Sequence, residues 1–274
     1  MTTKSGRSGR RPWGTYLLYV VTALGLVYLF IPLFTIARFT FNRPPAGSRY
    51  NTEWNEFTLD NWRHAFDASD YRDAFVESLK VALVACTLAT ILGALVSLAI
   101  TRYRMRGGAA INLLLVLPLT TPEIVLGAST FTLFFNQGAQ FGFWTIVIAH
   151  TTFCLSFVAL TVKARLRGLD WSLEDAAADL GSPPLRTFVK ITLPLVVPGI
   201  VGAFLLSLSL SIDDYIITSF VAGNVSTFPR EIWDSYIREV VPQVQVFTTL
   251  IMLVVITILV ATTAYGRHRA KQAV

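Results

Sequence analysis

The sequence predicts an all-α membrane protein with six transmembrane helices, and three observations predict it. Hydrophobic residues make up 53% of the 274 positions and charged residues only 15%, against about 25% charged in an ordinary soluble domain. Six apolar runs are present, and a bilayer-spanning helix needs about 20 such residues. The 23 Lys and Arg sort between alternate connecting segments instead of clustering on one face, as expected when positive charge sets orientation in a membrane.

The first run, Trp13 to Ala37, follows Lys4, Arg7, Arg10 and Arg11. A cleaved signal has an apolar core of about 7–15 residues that ends in small residues. This run is longer and passes into Arg38-Phe39-Thr40-Phe41 without a small-x-small site, so it reads as an uncleaved span. For the same reason Arg10-Arg11 is not a twin-arginine signal. Five runs follow: Ala74 to Ile100, Ala109 to Phe135, Phe143 to Val162, Leu195 to Ala222 and Val244 to Tyr265. Pro118 and Pro122 in the third, and Pro198 with Gly199 in the fifth, are the expected break points. Proline removes a backbone donor, and neighbouring helices then satisfy the freed groups.

Placing both termini in the cytoplasm puts fifteen of the 23 basic residues on that side, while ten of the 17 acids fall in the external segments. The predicted organisation is a cytoplasmic tail over 1–12, one membrane domain over 13–265 and a second cytoplasmic tail over 266–274. Within the domain, 38–73 forms an external loop and 165–194 a cytoplasmic one. Basic residues sorted in this way are topogenic, so no nucleic-acid partner is expected. Cys86 and Cys154 both lie inside apolar runs, where they read as small buried hydrophobes; neither a disulfide framework nor a metal set is expected.

The cytoplasmic loop is more than a connector. Ser172, followed three residues later by Asp175, forms a variant capping box. The pattern predicts a helix that starts near Leu173, runs through Ala176-Ala177-Ala178 and stops at Gly181 before Pro183. Three consecutive alanines leave a thin surface for another protein's backbone, with Glu174, Asp175 and Asp179 placing charge around it. In spacing, the segment resembles the signature of the inner-membrane permease subunits of ATP-binding-cassette importers: E-A-A, three residues, Gly, nine residues, then Ile-x-Leu-Pro. Here Asp175-Ala176-Ala177 precedes Gly181, and Ile191, Leu193 and Pro194 complete the pattern. The one departure is Asp175 in place of Glu, a shorter carboxylate.

That resemblance implies a type I importer permease fold. It also implies that Glu174, Asp175, Ala176, Ala177, Asp179, Gly181, Ile191, Leu193 and Pro194 couple the spans to a separate dimer of ATPase subunits. The sequence carries no G-x-x-x-x-G-K-[ST] phosphate loop, so ATP and Mg are expected on that partner, with no cofactor in this chain. The other implied partners are a second homologous permease subunit, an extracytoplasmic substrate-binding protein and membrane lipid.

Three carboxylates lie within apolar spans: Glu123, Asp213 and Asp214. Each is costly there, about 2.5–3.5 kcal/mol at a helix centre, and therefore invites a functional reading. Counting helical rise from the start of each span puts Glu123 about 21 Å and Asp213 about 27 Å along, in the outer half of the membrane. Adjacent residues point about 100° apart on a helix, so one of Asp213 and Asp214 faces a path and the other a neighbouring chain. Glu123, after Pro122, is the expected helix cap. Tyr215, Phe131, Phe134 and Trp144 would supply cation-π walls.

Residues 209–223 and 117–125 resemble the fifth-span and third-span segments of spermidine/putrescine importer permeases, and Phe57-Thr58-Leu59-Asp60-Asn61-Trp62 fits their external loop. The resemblance implies a polyamine cargo, with phosphonates, opines or ferric ion as the alternatives within the importer class. An ion-coupled secondary transporter is disfavoured by the docking motif and by the lack of internal repeats. An intramembrane aspartyl protease has only the bare presence of the acids in its favour.

Overall fold

The computed structural model describes residues 12–48, 50–65, 69–102, 107–238, 242–254 and 256–257. The expected basic residues Lys4, Arg7, Arg10, Arg11, Arg104 and Arg106 lie outside these, as does the C-terminal tail. The described chain falls into two compact units, one of residues 1–69 with 235–274 and one of residues 70–234.

The first unit opens with helix α1 (Pro12–Phe39), 28 residues long and apolar on every side. That length rises about 42 Å, more than a bilayer core of about 30 Å. The side chains from Trp13 to Thr35 are all exposed, as a lipid- or partner-facing helix requires. Beyond it, strands β1 (Asn42–Arg43) and β2 (Glu56–Phe57) pair antiparallel, Asn42 opposite Phe57, followed by the short helix α2 (Asp60–Arg63).

Polar side chains hold this loop to the end of α1. Asn61 Nδ2 donates to the carbonyls of Thr40 (2.9 Å) and Asn42 (2.8 Å), and Trp62 Nε1 donates to Thr40 Oγ1 at 3.0 Å. Phe41 stacks against Phe57 and Trp62. The Phe57–Trp62 segment thus works as a local clasp. Arg43 sits 2.5 Å from Asp60 and holds that carboxyl below the usual carboxylate range. Within the same unit Asn51 Nδ2 donates to Gln245 Oε1 at 2.5 Å. Gln245 belongs to an apolar helix, Pro242–Val254; the rest of the expected sixth span, to Tyr265, lies almost wholly outside the described residues.

The second unit holds the remaining spans. Helix α3 (Ser69–Arg102) and helix α6 (Phe143–Arg167) pack closely. Ser97 Oγ donates to the Ala159 carbonyl at 2.5 Å, and Thr151 Oγ1 to that of Ala85 at 3.3 Å. Small residues and interhelical hydroxyl bonds of this kind join helices where burial of apolar surface gives no driving force. Cys86 and Cys154 are both free, and both are fully buried in the core cluster.

Between these two spans the chain forms helices α4 (Gly108–Thr120) and α5 (Glu123–Asn136). They meet at 109° across the break at Thr121-Pro122, so the third expected span bends where Pro122 predicts it. Pro118 is carried inside α4 without a break. Because α5 leaves the axis of α4, a count of straight helical rise stops at Thr120 and does not give the depth of Glu123.

After α6 come α7 (Ser172–Asp179), α8 (Pro184–Thr187), a π-helical turn over Phe188–Thr192, and α9 (Leu193–Asp213). Pro184–Asp213 forms one long apolar helical run. The expected break at Pro198-Gly199 is therefore absent. A Cβ on Gly199 would lie 2.6 Å from Arg165 Cγ, and Arg165 Nη2 donates to the Leu195 carbonyl at 3.1 Å. Gly199 is there so that α6 can lay Arg165 against α9, while the wide turn at Phe188–Thr192 takes up irregularity two turns or more earlier.

The break in the fifth span comes instead at the acid pair. Asp214 has extended backbone (φ −67°, ψ 117°) and ends α9. Helix α10 (Ile216–Val221) follows, then α11 (Phe228–Arg238). Helix α10 packs on α5, with Phe220 lying over Gly127.

Candidate functional site

The two broken spans bring their carboxylates to one region. Glu123 opens α5, Asp213 closes α9, and Asp214 stands in the joint before α10. Glu123 lies within electrostatic reach of both aspartates. Helices α4, α5, α9 and α10 contain no Lys or Arg, so no basic side chain of these four offsets the acids.

The acids have different surroundings. Asp214 is 8% exposed, and both of its oxygens accept hydrogen bonds from the protein. Its Oδ1 accepts from the Ile217 N–H (3.3 Å), and its Oδ2 accepts from the N–H (2.9 Å) and hydroxyl (3.0 Å) of Thr218. That arrangement satisfies the free donors at the start of α10. His150 Nε2 completes it at 3.2 Å. Asp213 and Glu123 are exposed. The cap expected of Glu123 at the start of α5 is not made: Pro122 holds that cap position without a side-chain hydrogen bond, and Glu123 stands behind it in the first turn of α5, whereas Asp214 caps α10. Glu123 still favours the positive end of α5.

The four aromatic candidates fall in separate places. Tyr215 packs at a tilt against Trp233 of α11, ring centroids 5.2 Å apart. Phe131 stacks on Phe135 and Phe141. Trp144 is exposed and meets Phe143 edge-on. Phe134 is buried in the core cluster, where its ring serves packing.

In the loop over 165–194 the predicted short helix is present as α7, but its start is built differently. Trp171, not Ser172, holds the cap position, and the Ser172 N–H donates to Asp170 Oδ1 at 3.0 Å. The expected Ser172–Asp175 box is therefore replaced by an Asx turn from Asp170. The hydroxyl and N–H of Ser172 hold the Asp170 carboxyl below its ordinary range. The far end is as predicted: Gly181 has φ +75°. Its N–H donates to the Ala178 carbonyl, and the Ser182 N–H to that of Ala177, both at 2.9 Å. This is a Schellman closure.

Glu174 faces inward. It pairs with Arg102 Nη2 at 2.7 Å and accepts a hydrogen bond from the Thr192 hydroxyl, while Arg102 also lies 5.3 Å from the Trp171 ring. The nine-residue spacing after Gly181 is what returns the chain so that Thr192 meets α7. Ala177 is buried, at 9% exposed. Asp175, Ala176, Asp179, Gly181 and Pro194 face solvent, and Ile191 and Leu193 are half-buried. Beside them Leu173 and Leu180 are exposed, Leu180 to 88%, which leaves α7 with an apolar outer edge.

Reasoning from sequence alone passed over His150, Ser211, Thr218 and Arg102. The available signals were a lone imidazole in an apolar span, a position that is suspect by default, and Thr218 four residues after Asp214, where a capping carboxylate finds its partners.

Apolar spans broken at buried and exposed carboxylates, with a short alanine-rich helix in the loop between two of them, define a class. The chain belongs to the family of binding-protein-dependent transport system inner membrane components, whose model matches residues 89–271. It is thus a transport component of the inner membrane and not an enzyme. Among its relatives, the spermidine/putrescine transport system permease protein PotC of Haemophilus influenzae is 35% identical over 234 residues, covering 85% of this chain and 90% of the relative. The putrescine transport system permease protein PotI of Escherichia coli is 34% identical over 251 residues, 89% of this chain and 86% of that one. A chain of a bacterial ABC transporter that imports the acidic polysaccharide alginate shares the fold, with a TM-score of 0.68 at 12% identity over 97% of this chain and 99% of that chain.

Proposed function

We propose that this chain is one of two permease subunits of an ATP-driven importer of polyamines such as spermidine and putrescine, with both termini in the cytoplasm. An extracytoplasmic binding protein delivers the solute, and a pair of ATPase subunits, which hold the ATP and Mg, docks on the exposed edge of α7. The observation that carries the reading is that Glu123 and Asp213, exposed and unneutralised by their own helices, stand within electrostatic reach of each other at the breaks of two spans. A cation with two or more amines gains from two fixed carboxylates, whereas an anion is repelled by them. The names of the curated relatives support the same cargo. The permease partner is a homologue or a second copy, since the broken spans of one chain form one wall of a path.

The test is uptake of labelled spermidine and putrescine into proteoliposomes that hold the assembled complex with its binding protein. ATP-dependent, saturable polyamine uptake is expected. Transport of another solute with none of either polyamine overturns the cargo, and transport by this polypeptide alone overturns the subunit role.

A further inference from the structure

Between Phe143 and Val162, helix α6 carries one imidazole and no Lys, Arg, Asp or Glu. That imidazole, His150, is 2% exposed and spans the broken joint of the neighbouring span. Its Nδ1 lies 2.7 Å from Ser211 Oγ in the last turn of α9, and its Nε2 lies 2.9 Å from Thr218 Oγ1 and 3.2 Å from Asp214 Oδ2, at the start of α10. A carboxylate only accepts, so Nε2 carries the proton toward Asp214, and Nδ1 is paired with the Ser211 hydroxyl. One ring therefore ties together the two helices that the break separates. A carboxylate buried as Asp214 is persists only when its oxygens are supplied with donors, and His150 is the donor that comes from outside the joint's own chain segment.

We propose that His150 is a positioning residue for transport: by bridging Ser211 to Asp214 and Thr218, it fixes the α9–α10 joint and so holds Asp213 turned outward to meet the solute. Asp213 and Asp214 are neighbours, and with the backbone extended at Asp214 the burial of one carboxylate sets the direction of the other. The proposal rests on Asp213 meeting the transported cation. The part concerning the joint does not.

The experiment uses the assembled complex in lipid nanodiscs and proteoliposomes and reads two quantities: amide hydrogen exchange over residues 216–221, and polyamine moved per ATP hydrolysed, a ratio that the fraction of intact complex does not change. His150→Leu is expected to speed exchange of those amides by roughly tenfold, since the joint then opens more readily. It is also expected to lower the transport ratio by a similar factor. His150→Gln, whose amide still donates to Asp214, recovers most of both. If the leucine variant fails to assemble, Ser211→Ala cuts only the α9 end of the bridge, and faster exchange over 216–221 is again expected. Unchanged exchange in the assembled variants overturns the proposal, as does an unchanged ratio in the face of faster exchange. A wild-type complex that moves no polyamine refutes the cargo by itself, and the exchange measurement still decides whether His150 holds the joint.

Discussion

Arg102 at the end of α3 and Glu174 in the first turn of α7 meet at 2.7 Å, so the short helix proposed to receive the ATPase is fastened directly to a span. The Thr192 hydroxyl adds a second fastening from the turn that leads into α9. A force applied to α7 thus has two short routes into the membrane helices. Arg102→Leu and Glu174→Gln are each expected to lower solute moved per ATP several-fold without loss of assembly. The double variant should be little worse than either single one, with a coupling energy of about 1 kcal/mol for a partly exposed pair. A double variant whose losses simply multiply would show that the two residues act separately.

Gly181 closes α7 with φ +75°. A β-branched side chain resists that conformation by about 1–2 kcal/mol, and the Schellman bonds from Gly181 and Ser182 then loosen together. Gly181→Val is expected to leave membrane insertion intact while ATP hydrolysis runs on without transport; Gly181→Asn, which tolerates this backbone, should be milder. The ratio of uptake to hydrolysis in vesicles checks both.

The middle alanines of α7 separate into inner and outer positions. Ala177 is 9% exposed whereas Ala176 and Ala178 face solvent. Arginine at 177 therefore disturbs the seat of α7 itself and should lower the thermal stability of the purified complex, as overpacking by a large side chain does by about 1–3 kcal/mol. Arginine at 176 should leave that stability unchanged and weaken retention of the ATPase. Co-purification yield set beside melting temperature distinguishes the two, and identical behaviour of the two variants would remove the distinction between faces.

The motif spacing over Asp175–Pro194 was legible in sequence because glycine, proline and alanine act locally: the αL stop at Gly181 and the bend at Pro122 follow from the residues alone. The cap was misread because Ser172 and Asp170 both suit the start of a helix, and only the path of the chain through Trp171 decides between them. The fifth span misled in a similar way. Pro198 signals a break, yet α9 continues through it because Gly199 gives Arg165 room to bond the Leu195 carbonyl. The real joint is made by long-range partners of Asp214, above all His150, 64 positions earlier in the chain, and no local pattern contains that. Pro198→Ala is accordingly expected to retain transport, while Gly199→Val, which places methyl groups into Arg165, should cost about 1–3 kcal/mol of stability; thermal melting of the complex and vesicle uptake report the contrast. Equal tolerance of both would return Pro198-Gly199 to the role of a hinge.

The acids provide the sharpest division between cargo and scaffold. Asp213→Asn and Glu123→Gln keep shape while removing one charge each from exposed positions, and Asp214→Asn removes a charge whose oxygens are already committed to α10 and His150. If the solute is a polyamine, the exposed pair should matter most. Loss of one of the two exposed carboxylates is expected to reduce spermidine uptake roughly tenfold, about 1.4 kcal/mol at the limiting step. Spermidine, with more amines than putrescine, should suffer more than putrescine when Asp213 is neutralised. Asp214→Asn should act through the joint instead, with faster exchange over 216–221 and an equal penalty for both polyamines, because an amide keeps one accepting oxygen but puts a donor where the other stood. Initial uptake rates of the two labelled polyamines, with assembly checked in parallel, give the transport values, and amide hydrogen exchange gives the rest. Full uptake by Asp213→Asn and Glu123→Gln together would make the exposed carboxylates structural and take away the physical basis for a cationic cargo.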